Sequence, residues 1–426
     1  METNRAAIQT IALQLAENCS ALWEIREHVA LSATYPSTLT DLARLDTRID
    51  AQLDGLRTTG QAGRLCVKDA LELQGTGEFF TAAVLAFEEA NGKGLPLFLD
   101  ALLNAPRESA SAIRPMAVAL DWIGMQQFTS AISWLSSQKS ILAKAITMMA
   151  KAMRGIECRS SICEALETDC PLLIRSACWA AHRHRTTAAL PLLENHLKNA
   201  DAGLRATIAH SALSFRSSKA EDVLREAIAS AVTSTVSEFS AEALFRSLSP
   251  RQALWAHGDL FPKGSASRVS IRAAGAAGIP ELIPIVVEQL GNKGLRRLAG
   301  EVIFTFTGVD VGGFSEASTG SIANESVDEL DDEIIAFEPD EGLVWPSQST
   351  LEAWWHDHST EFSPLTRYLD GEVVRPKTLK KFIGSGPQKR RTTAAELLMF
   401  SEGAFFDVLA PAFRQSQRLT MEKVWQ

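Results

Sequence analysis

Leu95-Pro96-Leu97, Leu190-Pro191-Leu192 and Ile283-Pro284-Ile285 open the runs LPLFLDALL, LPLLENHL and IPIVVEQL. Their first residues lie 95 and then 93 positions apart, close to three units of 31 each time. A second signature keeps the same beat. An apolar residue followed by a base recurs at Ile113-Arg114, Ala143-Lys144, Ile174-Arg175 and Leu204-Arg205, at spacings of 30, 31 and 30, and returns at Ile271-Arg272. A period near 31 with two helices per unit predicts an α-solenoid, because one helical hairpin cannot bury its apolar face alone and must stack on its neighbours. Proline at the start of each second helix sits where its missing N–H costs nothing. The recurring base is expected on an exposed edge of each first helix, within reach of a neighbouring unit's carbonyls or acids.

Outward from these runs, the helical period extends from Phe79 to about Thr307, with a degenerate unit around 235–261. Residues 1–78 read as an N-terminal helical cap. Ile8, Ile11, Leu15, Leu22, Ile25 and Val29 keep helical spacing, and Leu42, Leu45, Ile49 and Leu53 follow after Pro36. Asp54-Gly55 and Gly60 mark the expected end of that second helix. Residues 308–342 lose the period and become Gly-, Ser- and acid-rich, an acidic linker in which Ile334, Ile335 and Phe337 offer a short anchor. Residues 343–426 return to helix as a small C-terminal helical region, with GSGPQ between its last two helices. The expected fold class is therefore all-α.

The 426 residues are 46% hydrophobic, ample for a core, and carry six cysteines without a compact extracellular pattern. The N-terminus is not a secretory signal, and no uncharged apolar run reaches 18 residues, so a cytoplasmic protein without a membrane span is expected. The net charge of −9 conceals a partition. From Leu298 to Thr366 there is no Lys or Arg against fifteen Asp and Glu, whereas the final 60 residues hold 11 basic and 6 acidic. An acidic belt repels phosphate backbones, which argues against nucleic acid as a partner.

Three clusters have the residue types of chemistry. Cys158, Cys163, Cys170 and Cys178 with His182 and His184 contain metal-ligand atoms, but their spacing lacks a CxxC knuckle, and buried structural cysteines are the simpler reading. Trp354-Trp355-His356-Asp357-His358 places acid–base groups side by side. Successive helical residues point apart, however, so the tryptophans are expected to bury and the HDH segment to leave the helix into water. Gly384-Ser385-Gly386-Pro387 before Lys389-Arg390-Arg391 is not a phosphate loop, since no strand precedes it and the GxxxxGK[ST] order is missing. Its basic turn is expected to clamp the acidic belt. No metal, cofactor or catalytic residue is expected. The residues expected to meet a partner are Asp328, Glu329, Asp331, Asp332 and Glu333 of the belt, Trp345, Trp354, Lys389, Arg390 and Arg391.

Stretches at both ends resemble a known family. They are LWEIREHVALSATY, LARLDTRIDAQLDGLRTTG and EFFTAAVLAFE near the start. Near the end they are RRLAGEVIFTFTGVDV, DELDDE, DEGLVWPSQSTLEAWW, RYLDGEVVRP, QKRRTTAAELLM and APAFRQSQ. The chain is similar in these to bacterial HEAT-repeat proteins found in type VI secretion gene neighbourhoods. The resemblance implies a HEAT-like α-solenoid and a non-catalytic protein-binding scaffold, acting as an accessory chaperone or adaptor for a toxic effector. Its partner would be the effector, an effector chaperone or a spike component. An immunity protein that neutralises a cognate effector is the alternative, and a HEAT-like nucleic-acid enzyme the second alternative.

Overall fold

The structure is a computed structural model that describes residues 2–31, 37–89, 96–104, 109–198, 201–230, 234–262, 267–309, 311–314, 340 and 342–420. The fold is all-α. Among the described residues the strands are two short ones, Tyr368–Leu369 (β1) and Glu372–Val373 (β2), paired antiparallel. The chain divides into two compact units, residues 1–220 with 380–426, and residues 221–379. This division differs from the expected segments 1–78, 79–307, 308–342 and 343–426, because contacts join stretches that composition separates.

The first unit begins with α1 (Glu2–Leu31), α2 (Leu39–Thr59) and α3 (Gln61–Ala70). Then come α4 (Thr76–Glu88), α5 (Pro96–Asn104), α6 (Ser109–Trp122), α7 (Met125–Ser137) and α8 (Ile141–Met153). It continues through α9 (Arg159–Leu166), α10 (Pro171–Arg183), α11 (Leu190–His196) and α12 (Ala202–Leu213). Helix α13 (Ser218–Ala229) spans the first division. The second unit holds α14 (Ser234–Ser247), α15 (Pro250–Leu260), α16 (Arg268–Ala277), α17 (Ile283–Val287), α18 (Arg296–Thr307) and α19 (Gln348–His358). Helix α20 (Pro376–Ser385) spans the second division, and α21 (Gln388–Glu402) and α22 (Ala412–Thr420) complete the first unit.

Alternate helices pack on one another: α1 on α4, α4 on α6, α6 on α8, α8 on α10 and α10 on α12 in the first unit, then α14 on α16 and α16 on α18 in the second. Helix α4 is apolar all round and buried from Phe79 to Phe87, as its place between α1 and α6 requires. Trp23 of α1 stacks on Phe80 at 3.8 Å, and Trp122 of α6 meets Phe80 edge-on at 5.2 Å. Gly77 permits this approach, since a Cβ there would lie 2.3 Å from the Ser20 carbonyl oxygen. Ser140, Asp201 and Ser249 cap α8, α12 and α15 through their side chains.

The expected base ladder reaches acids. Arg114 binds Glu27 at 2.8 Å, Arg175 binds Asp201 at 3.3 Å, and Arg272 binds Glu238 at 3.3 Å. A second set of arginines, near helix ends, takes the carbonyls. Arg154 donates to the Leu120 and Ile123 carbonyls and Arg183 to that of Ala152, with Arg154–Ile123 and Arg183–Ala152 each 31 residues apart. In the second unit Arg367 donates to the carbonyls of Ala277, Arg246, Phe245 and Leu248. These are the C-terminal carbonyls that helices leave unpaired, where a cation also meets the negative end of the dipole.

Two expected boundaries move. Helix α2 runs through Asp54-Gly55 to Thr59, with Gly55 close against Leu15, and Gly60 (φ 57°) ends it. Helix α19 runs through His356-Asp357-His358 instead of releasing them; Trp355 is buried, Trp354 half-buried, and His358 stacks on Trp354 at 4.5 Å.

Candidate functional site

The last helices of the first unit return to its first ones, and charge fixes them there. Arg26 of α1 is fully buried, donating through Nε to Asp46 of α2 at 3.0 Å and through its other nitrogens to the Leu409 and Ala410 carbonyls. Asp46 Oδ2 accepts the Ala412 N–H at 2.6 Å. Asp121 of α6, without solvent exposure, faces Arg154 and Arg414 at 3.3 Å each. Burial raises the Asp121 pKa, while the two guanidinium groups pull it back. Arg418 donates to the Met153 carbonyl. These buried charges are invisible to periodicity.

This return builds a cleft. Helices α10, α12 and α21 and the segment 405–409 enclose a cavity of about 230 Å³. Trp179, Met399, Phe405 and Phe406 form its apolar walls, with Trp179 edge-on to Phe405 at 5.9 Å. His182, His210, Glu396 and Asp407 supply polar atoms. His210 Nε2 stands 3.5 Å from Glu396 Oε1, and the His182 and His210 rings meet edge-on at 6.2 Å. Burial, then the neighbouring His210, pushes the His182 pKa down to about 3, so this ring is neutral at physiological pH.

The nucleophiles at the cleft are quiet. Burial pushes the Cys178 thiol up to about 12, which removes the thiolate that nucleophilic attack needs. Ser211 Oγ donates to the Cys178 carbonyl at 2.9 Å and takes no proton-transfer partner from the cleft. What remains is an apolar, aromatic recess with a polar rim, suited to receiving a side chain or a small ring.

The sequence-predicted site residues scatter. Asp328, Glu329, Asp331, Asp332 and Glu333, with Ile334, Ile335 and Phe337, lie outside the described residues. Trp345 is 38% exposed in the second unit, with the Arg297 guanidinium 4.4 Å from its ring centre. Trp354 lies in α19 against His358 and Phe314. Arg391 is buried, not on a binding surface. It donates to the Ile383 carbonyl and to the side-chain oxygens of Gln388 and Gln415, so it organises the turn between α20 and α21. Lys389 and Arg390 precede it, half-buried in α21. The acidic segment's one described acidic residue, Asp340, is held by other bases: Arg268 grips it with two nitrogens at 2.5 and 2.9 Å. Cys158 and Cys178 are buried, Cys163 and Cys170 half-buried, and among the described residues no three His, Cys, Asp or Glu are placed to hold a metal ion. No described helix is long and apolar enough to cross a membrane.

Comparison with protein-family models, with curated proteins and with solved structures found no match.

Proposed function

We propose that this protein is a non-catalytic, cytoplasmic protein-binding scaffold with a HEAT-like α-solenoid architecture, and that the cleft among α10, α12 and α21 seats an apolar side chain of its protein partner. The observation that carries the reading is the repeated helix order. First helices pack on first helices through each unit, and arginine-to-carbonyl bonds recur 31 residues apart. Stacks of this kind present extended surface rather than a reaction chamber. The aromatic recess supplies the buried anchor that concentrates binding energy at an interface, with His210 and Glu396 on its polar rim. The sequence resemblance supports a partner from a type VI secretion locus, an effector or its chaperone, for which the protein acts as adaptor. The acidic belt speeds encounter with a basic partner, an effect that salt weakens.

The test is capture on the tagged protein from its native cell, at low and then moderate salt, with bound proteins identified by mass spectrometry. Recovery of an effector or effector chaperone, reduced by salt, is expected. Recovery of nucleic acid without a protein partner contradicts the reading and favours a nucleic-acid enzyme.

A further inference from the structure

A second cavity in the first unit, of about 220 Å³, opens among α7, α8, α9 and the start of α10. Helix α8 presents Lys144, Thr147 and Lys151 to it. Their i, i+3, i+7 spacing sets all three on one helix face. Thr147 is 9% exposed and its Oγ1 has no hydrogen-bond partner. Helical threonines commonly bond back to the i−4 carbonyl, and a buried hydroxyl left unpaired costs stability until a ligand or water satisfies it. Lys144 holds the ladder position at which Arg114, Arg175 and Arg272 each meet a carboxylate. Among the described residues neither the Lys144 nor the Lys151 ammonium group has an ion pair or hydrogen bond. The facing wall carries Ser161 and Thr168, with the exposed carboxylate of Glu164 at the edge.

We propose that this cavity binds a phosphate group, as the free ion or as a small phosphomonoester. Two ammonium groups match a doubly charged oxyanion, and each offers three donors to oxygens that accept in several directions. Thr147 Oγ1 donates from the floor, which satisfies it. Met148, Leu135 and Leu173 line the remaining wall and lower the polarity beside Thr147 and the lysine stems. Glu164 opposes the anion and sets an upper limit on its affinity.

The full-length protein is titrated with inorganic phosphate and, separately, with glycerol 3-phosphate, following 31P line broadening at low salt. Saturable binding of at least one is expected, and the tighter of the two identifies the natural form. Lys144→Gln with Lys151→Gln loses about tenfold or more of that affinity, because two charged hydrogen-bond donors are gone. Glu164→Gln binds more tightly than the parent, and Lys139→Gln, outside the cavity, binds as the parent does. All of these changes are on exposed or half-exposed side chains, and circular dichroism confirms that each variant is folded. No saturable broadening with either probe, or equal affinity in the parent and the double lysine variant, overturns the proposal.

Discussion

Arg26 Nε donates to Asp46 Oδ1 across 3.0 Å, with both side chains sealed from water, and the same two residues hold the backbone from Leu409 to Ala412. Burial by itself would depress the Arg26 pKa, but Asp46 and Glu27 keep it raised. A pair of residues from the first two helices thus fastens the C-terminal segment that walls the cleft.

Arg26→Met therefore leaves Asp46 buried without its cation, which costs about 3–5 kcal/mol. Loss of the two carbonyl bonds also frees the segment after Gly403. Chemical denaturation is expected to show the loss, and limited trypsin digestion faster cleavage at Arg414 and Arg418. Pairing it with Asp46→Leu recovers part of the stability, since no unpaired charge then remains. An Arg26→Met variant as stable as the parent contradicts the fastening role.

His182 makes the protein acid-sensitive above the usual carboxylate range. An unfolded histidine titrates near 6.5, whereas here burial holds the ring near 3. Between those values the unfolded chain binds the proton and the native one does not. This contribution is fully present above about pH 6.5 and declines as pH falls, by up to about 1.4 kcal/mol per unit. His182→Phe is expected to flatten the stability profile between pH 6.5 and 4.5. Glu27, whose pKa Arg114 and Arg26 hold low against the effect of burial, acts only below about pH 4.3. An unchanged slope in His182→Phe assigns the acid sensitivity elsewhere.

Cysteine reactivity follows burial. Burial pushes Cys19 and Cys178 up to about 12 and Cys158 up to about 11, so these thiols stay protonated and enclosed. Cys163 and Cys170 are half-buried. Brief treatment of the native protein with iodoacetamide is expected to label Cys163 and Cys170, and denaturant is needed for the buried Cys19, Cys66, Cys158 and Cys178. Rapid native labelling of Cys178 contradicts the closed base of the cleft.

Arg367→Ala is expected to destabilise the second unit by about 3 kcal/mol or more, because four helix-end carbonyls lose a charged donor together. Arg367→Lys recovers little, since an ammonium cannot span the same fan of acceptors. Hydrogen exchange at the ends of α14 and α16 reads the effect, and unchanged protection there contradicts it.

The helical layers were legible because Leu190-Pro191 and Ile283-Pro284 do open helices and the period near 31 follows from packing one helix of each pair on its counterpart. The base ladder was half legible: Arg114, Arg175 and Arg272 reach acids, while the carbonyls belong to Arg154, Arg183 and Arg367. The cleft was not legible. His182 and Cys178 stood out only as members of a cysteine–histidine cluster read as structural, yet their setting comes from Phe405 and Glu396, more than 200 positions away, and no local pattern encodes that return. Arg391 misled for a similar reason. A basic run reads as surface, but one arginine of the three is spent inside on Gln388, Gln415 and the Ile383 carbonyl.

The most direct test of the scaffold reading fills the cleft while leaving the fold intact. Thr392→Trp places an indole at its edge, on a half-buried position of α21. The partner captured by the parent protein is purified, and its affinity for parent and variant is measured by calorimetry. A loss of about tenfold or more is expected, as for an anchor residue denied its pocket. Equal affinity for parent and a folded Thr392→Trp variant contradicts the cleft as the partner's site.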